Sequence, residues 1–335
     1  MNKVGMVLEG GGLRGLYTAG VLDVLLANDI NVDGIIGTSA GALFGVNYFS
    51  EQRGRVLRYN KEYCGNKNYM SMRSFLLTGN YVNKEFAYYR MSTELDLFDN
   101  LTFIRAKKPF YAVATDVETG EAEYFEITNP IAQLEELRAS GAIPVVSKMV
   151  EVDKKKYLDG GISDSIPINK LIELGYNKRI IVETQPRNYK KAPFSKNKQR
   201  LIKIRYHRYP KLVEAILTRY GRYNAVKEEI RRLEEEKKVF VIRPLKKLNI
   251  DMKNKDPEKY QEVYDMGMND ATRLLEELKD YLGLNKKVVK KKTTTKKKTT
   301  TKKSDSKEEK KTTKKTTTKK TTTKKTTTKK KVEKE

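Results

Sequence analysis

Three short runs hold residues whose types and spacing suit chemistry: GGGLRG (Gly10 to Gly15), GTSAG (Gly37 to Gly41) and YLDGG (Tyr157 to Gly161). The second has the form G-x-S-x-G, which in hydrolases sets a serine on a tight turn between a strand and a helix. A serine hydroxyl is a weak nucleophile until a neighbouring base takes its proton. The usual base is histidine, and the chain has one, His207, in LIKIRYHRYP among Lys203, Arg205 and Arg208. Such cations disfavour the imidazolium that a histidine base must become, and His207 reads equally as an ordinary surface residue. A carboxylate is the alternative. Asp159 follows a short strand, and Gly160 and Gly161 give the backbone freedom to turn it into a cleft, although DGG also reads as a plain tight turn. Asp116, at the end of YAVATD, is a rival whose other reading is a turn bond within DVETGE.

GGGLRG also satisfies G-x-G-x-x-G, the dinucleotide fingerprint. That reading needs an acid at the carboxyl end of the second strand to hold a ribose, and the nearest, Asp33, precedes that strand. No Lys-Ser or Lys-Thr follows the glycines, so a P-loop fits worse. Taken together the two motifs fit acyl transfer. Loops after consecutive parallel strands emerge on one edge of the sheet. There Gly10, Gly11 and Gly12 offer bare amides at a helix opening through Leu13, Arg14 and Gly15, a place suited to negative charge. Ser39 lies beside them between Thr38 and Ala40, on a turn whose Gly37 and Gly41 allow close approach. A nucleophile next to an oxyanion hole is what acyl transfer requires. Arg14 adds positive charge or pairs with a carboxylate.

The elements that must position these residues follow from apolar patterning. VGMVL (Val4–Leu8) is a short apolar run ending at glycines, the mark of a buried parallel strand. Residues 14–27 are apolar at helical spacing, GIIG (Gly34–Gly37) predicts a second strand, and AGALFGVNYF (Ala40–Phe49) a helix buried on most sides. Alternation with short connections predicts an α/β fold with a mostly parallel sheet covered on both faces. Strands are expected at 109–117 and 123–127, a helix over 130–139 after Pro130, a hairpin over 149–161 with a DKKK tip, a helix at 168–174 and a strand at 179–183. Residues 185–200 read as an exposed basic loop. Two long helices, about 211–236 and 257–283, bracket a strand at VFVIRP, with an N-cap at Asp256 and a stop at Gly283. This region, 185–284, is expected to pack on the sheet as a helical extension of a catalytic domain spanning 1–184.

Composition bounds the rest. The 335-residue chain carries a formal charge of +26. Asn285 to Glu335 holds 23 Lys against 5 acidic residues, which leaves only +8 for the remainder. The recurring TTTKK of that segment has almost no apolar surface to offset its ordering entropy, so disorder is expected there. A single Cys, Cys64, excludes an intrachain disulfide, and one Cys with one His makes a zinc site improbable. No metal or other cofactor is expected. The opening apolar run ends at Glu9, and no run approaches the about 18 apolar residues of a membrane span. A cytoplasmic protein is expected.

GGGLRG, GTSAG and YLDGG, in this order and at these separations, together with ASGAIPVVSKMVEVDKKKYLDGGISDSIPI, resemble the patatin-like phospholipases over about residues 4–184. The region 185–283 resembles the C-terminal extension of a bacterial subgroup, and the Lys/Thr segment has no counterpart. The resemblance implies a three-layer patatin-like fold and a Ser–Asp dyad without histidine. Ser39 would be the nucleophile, Asp159 the base for serine and then for water, and the amides of Gly10 to Gly12 the oxyanion hole. A carboxylate of ordinary pKa, about 4, is a weak base, so a partly buried Asp159 is expected. Gly161 stands where many members of the family carry alanine.

The implied substrate is an acyl ester of phospholipid or a related lipid. The segment 69–91, rich in Met and aromatics, reads as a lid, as an acyl-pocket wall, or as plain core. Lys190 and Lys191 reach anionic head groups or are simply solvated. The Lys-rich segment could hold the protein on an anionic membrane, neutralise nucleic-acid phosphates without reading sequence, or merely solubilise the chain. Two alternatives to the dyad hydrolase stay open: a non-catalytic lipid-binding or regulatory protein of the same fold, and a histidine-dependent esterase using His207.

Overall fold

The computed structural model describes residues 2–285. The Lys/Thr-rich segment, with the expectations of disorder and of membrane or nucleic-acid contact attached to it, lies outside the described residues. In chain order the elements are β1 (Val4–Leu8), α1 (Gly15–Ala27), β2 (Gly34–Thr38), α2 (Ala40–Phe49), α3 (Arg55–Glu62), α4 (Met72–Thr78), a π-helical segment (Glu85–Leu95), α5 (Asn100–Ala106), β3 (Phe110–Asp116) and β4 (Ala122–Glu126). There follow α6 (Leu134–Ser140), β5 (Val150–Val152), β6 (Lys155–Asp159), α7 (Ile168–Glu173), β7 (Lys178–Val182), α8 (Lys196–Arg205), α9 (Pro210–Glu235), β8 (Phe240–Ile242) and α10 (Pro257–Leu282).

Eight strands form one sheet in the order β5-β6-β3-β2-β1-β7-β8, with β4 on β3 as well. The five strands from β3 to β8 are parallel. Alternation along them sends side chains to opposite faces. Met6, Leu8, Ile35 and Ile180 join α1, α2 and α10 in one core, while Val7, Ile36 and Ile181 join α7 and α9 in another. The result is the expected three-layer α/β architecture.

The strand registers contain the arrangement that matters most for the site. β4 pairs with β3 from Tyr111 to Thr115 and so occupies one edge of that strand. β2 and β6 therefore share its other edge. Thr38, the last residue of β2, lies opposite Val113. Asp159, the last residue of β6, lies opposite the next position, Ala114. Two strands running in opposite directions thus end nose to nose on one edge, and this brings residues 39 and 159 together.

Three local expectations are corrected. The helix after Pro130 begins only at Leu134, because the Gln133 carboxamide oxygen accepts the amides of Thr128 and Asn129 and holds a turn in place of a first helical turn. The hairpin tip is Asp153 and Lys154 alone, both at positive φ as a two-residue turn requires, while Lys155 and Lys156 belong to β6. Residues 185–200 are not a uniformly exposed loop: Gln185 is buried and α8 starts at Lys196.

The region after residue 185 supplies β8, which extends the sheet beside β7, and α10, which lies against α1. At that helix crossing, a Cβ on Gly20 would sit 2.1 Å from the carbonyl oxygen of Tyr264, and one on Gly267 would sit 2.0 Å from that of Tyr17. Tyr17 and Tyr264 donate hydrogen bonds to Asp270 and Asp23 across the same contact. Glycine in an open helix costs up to about 1 kcal/mol relative to alanine, but here the two backbones touch and any Cβ must push them apart. Gly267→Ala is therefore expected to lower stability by about 1–3 kcal/mol, the usual cost of overpacking. Denaturant titration checks the sign, since a stabilised variant would mean the helices are free to separate.

Candidate active site

Ser39 occupies the turn between β2 and α2 with φ 55° and ψ −124°. Such backbone is costly for a residue with a Cβ, about 1–3 kcal/mol, and persists only where its surroundings hold it. A Cβ on Gly37 would lie 2.6 Å from the Ala42 backbone, and one on Gly41 would lie 2.3 Å from the Leu8 carbonyl. Both glycines are therefore required for the turn to close. The amide of Ser39 donates to Ser140 Oγ at 2.9 Å, and Thr38 Oγ1 donates to the Asp164 carbonyl at 3.1 Å. The Ser39 side chain makes no capping bond to α2. Its hydroxyl instead donates to Asp159 Oδ2 at 2.6 Å.

Asp159 is held from four directions. Its amide donates to the Ala142 carbonyl, its carbonyl accepts from Thr115 Oγ1, and its Oδ1 accepts the Gly161 amide at 2.7 Å. Its fourth contact is the Ser39 hydroxyl. The side chain is fully rather than partly buried, and burial pushes its carboxyl above the ordinary carboxylate range. The positive charge of Arg219 and the two donated hydrogen bonds oppose that rise without cancelling it.

The glycine loop comes alongside at the carboxyl end of β1. A Cβ on Gly10 would sit 2.7 Å from the Thr38 carbonyl and 2.8 Å from Ser39 Cβ, so this end of β1 approaches the serine turn only as glycine. Gly12 has φ 57°, which again suits glycine. The amides of Gly10, Gly11 and Gly12 donate to no other group among the described residues. The Gly10 carbonyl is fixed by Thr184 Oγ1 at 2.9 Å. Leu13 is buried at the start of the helix, and a Cβ on Gly15 would meet the Phe44 ring.

Two cavities meet at Ser39. One is apolar, opens to solvent, and is walled by residues such as Leu43, Phe44, Met70, Tyr88, Met91 and Leu137. Both ends of the segment 69–91 thus contribute to the wall of this channel, while Met72, Leu76 and Leu77 between them are exposed. The other cavity is the more polar of the two and is lined by Arg14, Asp159, Lys191 and Arg219 with the glycine loop. Gly12, Ser39, Ile143 and Met252 line both.

The remaining candidates fall elsewhere. His207 is exposed after α8, bonded through Nδ1 to the Ile204 carbonyl, and lines neither cavity. Asp116 accepts the amides of Glu118 and Thr119, the turn role open to it from sequence. Asp33 caps β1 by accepting the Val4 amide at 2.7 Å, at the opposite end of the sheet. Arg14 makes no ion pair among the described residues and faces the polar cavity. Ser140, Thr115, Arg219 and the placement of Lys191 escaped sequence reasoning. Each touches the site only through a tertiary contact, and nothing in its local sequence distinguishes it.

Residues 6–172 match the model of the family described as patatin-like phospholipase, and residues 209–283 match a domain of unknown function (DUF6363). The chain is 31% identical over 194 residues to an uncharacterized protein, YjjU, of Escherichia coli (strain K12), covering 55% of this chain and 52% of that protein. It is 26% identical over 166 residues to an uncharacterized NTE family protein of Mycobacterium tuberculosis (strain ATCC 25618 / H37Rv), covering 50% of this chain and 44% of that one. The chain thus spans about half the length of the curated relatives it matches. Among solved structures, VipD from Legionella pneumophila aligns over 82% of this chain and 67% of its own, at 15% identity and a TM-score of 0.39. No helix among the described residues is long and apolar enough to cross a membrane.

The raised carboxyl of Asp159 has a consequence for stability. A buried acid that holds its proton more tightly when folded contributes most below its unfolded pKa, and that contribution is lost as pH rises through the folded value. Asp159→Asn is therefore expected to melt at a higher temperature than the wild type at pH 7. The gain should vanish as pH falls to about 4, where the unfolded carboxyl is also half protonated. Thermal melts of both proteins between those pH values test this. A lower melting temperature for the variant at pH 7 would mean that Arg219 and the donated hydrogen bonds outweigh the burial.

Proposed function

The chain belongs to the patatin-like phospholipase family through residues 6–172, and on that premise we propose that it is a lipid acyl hydrolase acting through a Ser39–Asp159 dyad. What carries this reading is the position of Ser39 at the junction of an apolar channel and a polar cleft, with its hydroxyl on a buried carboxylate. An acyl chain lying in the channel brings its ester carbonyl to the serine, while the alcohol portion of the lipid extends into the cleft.

The chemistry follows from the contacts. Asp159 Oδ2 takes the hydroxyl proton as Ser39 Oγ bonds to the acyl carbon, and the carbonyl oxygen becomes an oxyanion. The amides of Gly10, Gly11 and Gly12, whose hydrogens have no other acceptor among the described residues, stabilise that charge, and so does the N-terminus of α2. Collapse of the tetrahedral intermediate breaks the ester C–O bond, and the departing alcohol oxygen takes the proton from Asp159. Water then gives a proton to Asp159 and attacks the acyl-enzyme. Fatty acid leaves, and the proton returns to Ser39 Oγ. Asp159 is fit to act as a base because burial raises its affinity for the proton.

The test is labelling with a fluorophosphonate, together with hydrolysis of a short-chain ester, in wild type, Ser39→Ala, Asp159→Asn and His207→Ala. Labelling is expected to vanish in Ser39→Ala, to fall by about 100-fold or more in Asp159→Asn, the range for loss of a general base, and to persist in His207→Ala. Loss in a folded His207→Ala would overturn the base assignment. Absence of label in folded wild type would favour lipid binding without catalysis. The pH profile offers a second check. Activity needs ionised Asp159, so kcat/KM should rise with pH through a pKa above the ordinary aspartate value of 3.8. A profile flat down to that value would contradict the assignment.

A further inference from the structure

The polar cleft beside Ser39 carries more positive charge than the ester chemistry requires. Arg14, Lys191 and Arg219 all line it. None of the three forms an ion pair among the described residues, and the Nε atoms of Arg14 and Arg219 are buried without an acceptor. The acids on the same walls accept hydrogen bonds from neutral donors and none pairs with the three cations. Glu9 accepts the Thr184 amide and the Tyr223 hydroxyl, Asp159 accepts from Ser39 and Gly161, and Asp251 accepts the Lys253 amide.

Lys191 is built into place rather than solvated. Its amide donates to Asn224 Oδ1 at 2.8 Å and its carbonyl accepts from Asn224 Nδ2 at 3.0 Å, which clamps it to α9. Its ammonium lies 4.2 Å from the centre of the Tyr223 ring. Burial, then the neighbouring Arg219, lowers its pKa to about 8, so it is mostly protonated at neutral pH. Arg219 is admitted by a glycine: a Cβ on Gly161 would sit 2.8 Å from Arg219 Nη2 and 2.9 Å from Asp159 Oδ1. The charges of Glu9 and Asp159 offset these cations only in part, since Lys191 is still held below the ordinary lysine range, and no carboxylate among the described residues lies within ion-pair distance of any of the three. Guanidinium forks and an ammonium are the groups that recognise phosphate oxygens.

We propose that Arg14, Lys191 and Arg219 together form the subsite that holds the head-group phosphate of the scissile glycerolipid. This rests on the hydrolase reading above. Lys191 and Arg219 lie outside residues 6–172, and Arg219 sits on α9 within residues 209–283. The extension thereby acquires a role in choosing the substrate.

The experiment compares hydrolysis of dihexanoylglycerophosphate and dihexanoylglycerol, both below micelle formation, by wild type, Lys191→Met, Lys191→Arg and Arg219→Gln. Wild type is expected to prefer the phosphate ester. In Lys191→Met and Arg219→Gln the ratio of kcat/KM between the two esters should fall by about tenfold or more, the loss of one charge-assisted hydrogen bond. The loss should appear mainly in KM, and Lys191→Arg should recover most of it. A ratio unchanged in Lys191→Met, with both esters still cleaved, overturns the subsite and leaves the hydrolase standing. If wild type cleaves neither ester, the hydrolase reading fails, and calorimetric binding to Ser39→Ala decides the subsite separately. The phosphate ester should then bind more tightly than dihexanoylglycerol, and less so once Lys191→Met is added. Inorganic phosphate binding as tightly as the lipid would assign the cations to a free anion and overturn the head-group role.

Discussion

The backbone of Ser39 stands at φ 55° and ψ −124°, a conformation that an isolated chain would leave at once. The surrounding structure over-determines it. β1 and β2 run side by side in register, α2 leaves the end of β2 and folds back over the Leu8 carbonyl, and Gly37 and Gly41 remove the atoms that would prevent this. Ser140 holds the amide and Thr38 ties the preceding residue to the Asp164 carbonyl. Strain held this way fixes the position of the Ser39 hydroxyl.

The same economy governs Asp159. A buried carboxylate is unfavourable, and here that cost is tied to basicity: burial that destabilises the anion also raises its affinity for a proton. Strand registry makes the arrangement rigid. Because β2 and β6 end at adjacent positions along one edge of β3, the serine–aspartate distance is set by the ladder of backbone hydrogen bonds rather than by flexible loops.

The region after residue 185 is joined to the site by buried polar contacts. Glu9, next to the glycine loop, bonds the hydroxyl of Tyr223 on α9. Glu183, at the end of β7, pairs with Lys227 on α9 at 2.6 Å and with Arg243 beyond β8 at 3.0 Å. Breaking a buried pair of this kind typically costs about 3–5 kcal/mol, because one charge is left without a partner. α9 is therefore anchored at the carboxyl edge of the sheet, where it presents Arg219 to the cleft and clamps Lys191.

Much of this was legible in the sequence. The apolar runs Val4–Leu8 and Ala40–Phe49, the glycines around Ser39 and the N-cap at Asp256 act locally, through sterics and hydrogen bonds within a few residues, so their meaning survives in a string of letters. Those local signals determined the strand–helix alternation, the long helices and the candidates Ser39 and Asp159. They misjudged the start of the helix after Pro130 and the stretch 185–200, where a side-chain-held turn and a contact with a distant helix decide the outcome. Only the tertiary structure decided that Asp116 and His207 stand apart from Ser39, that the two ends of segment 69–91 line a channel, and that Lys191 turns inward. Each of these depends on which distant residue shares an edge, a face or a cavity, and sequence order does not encode that proximity.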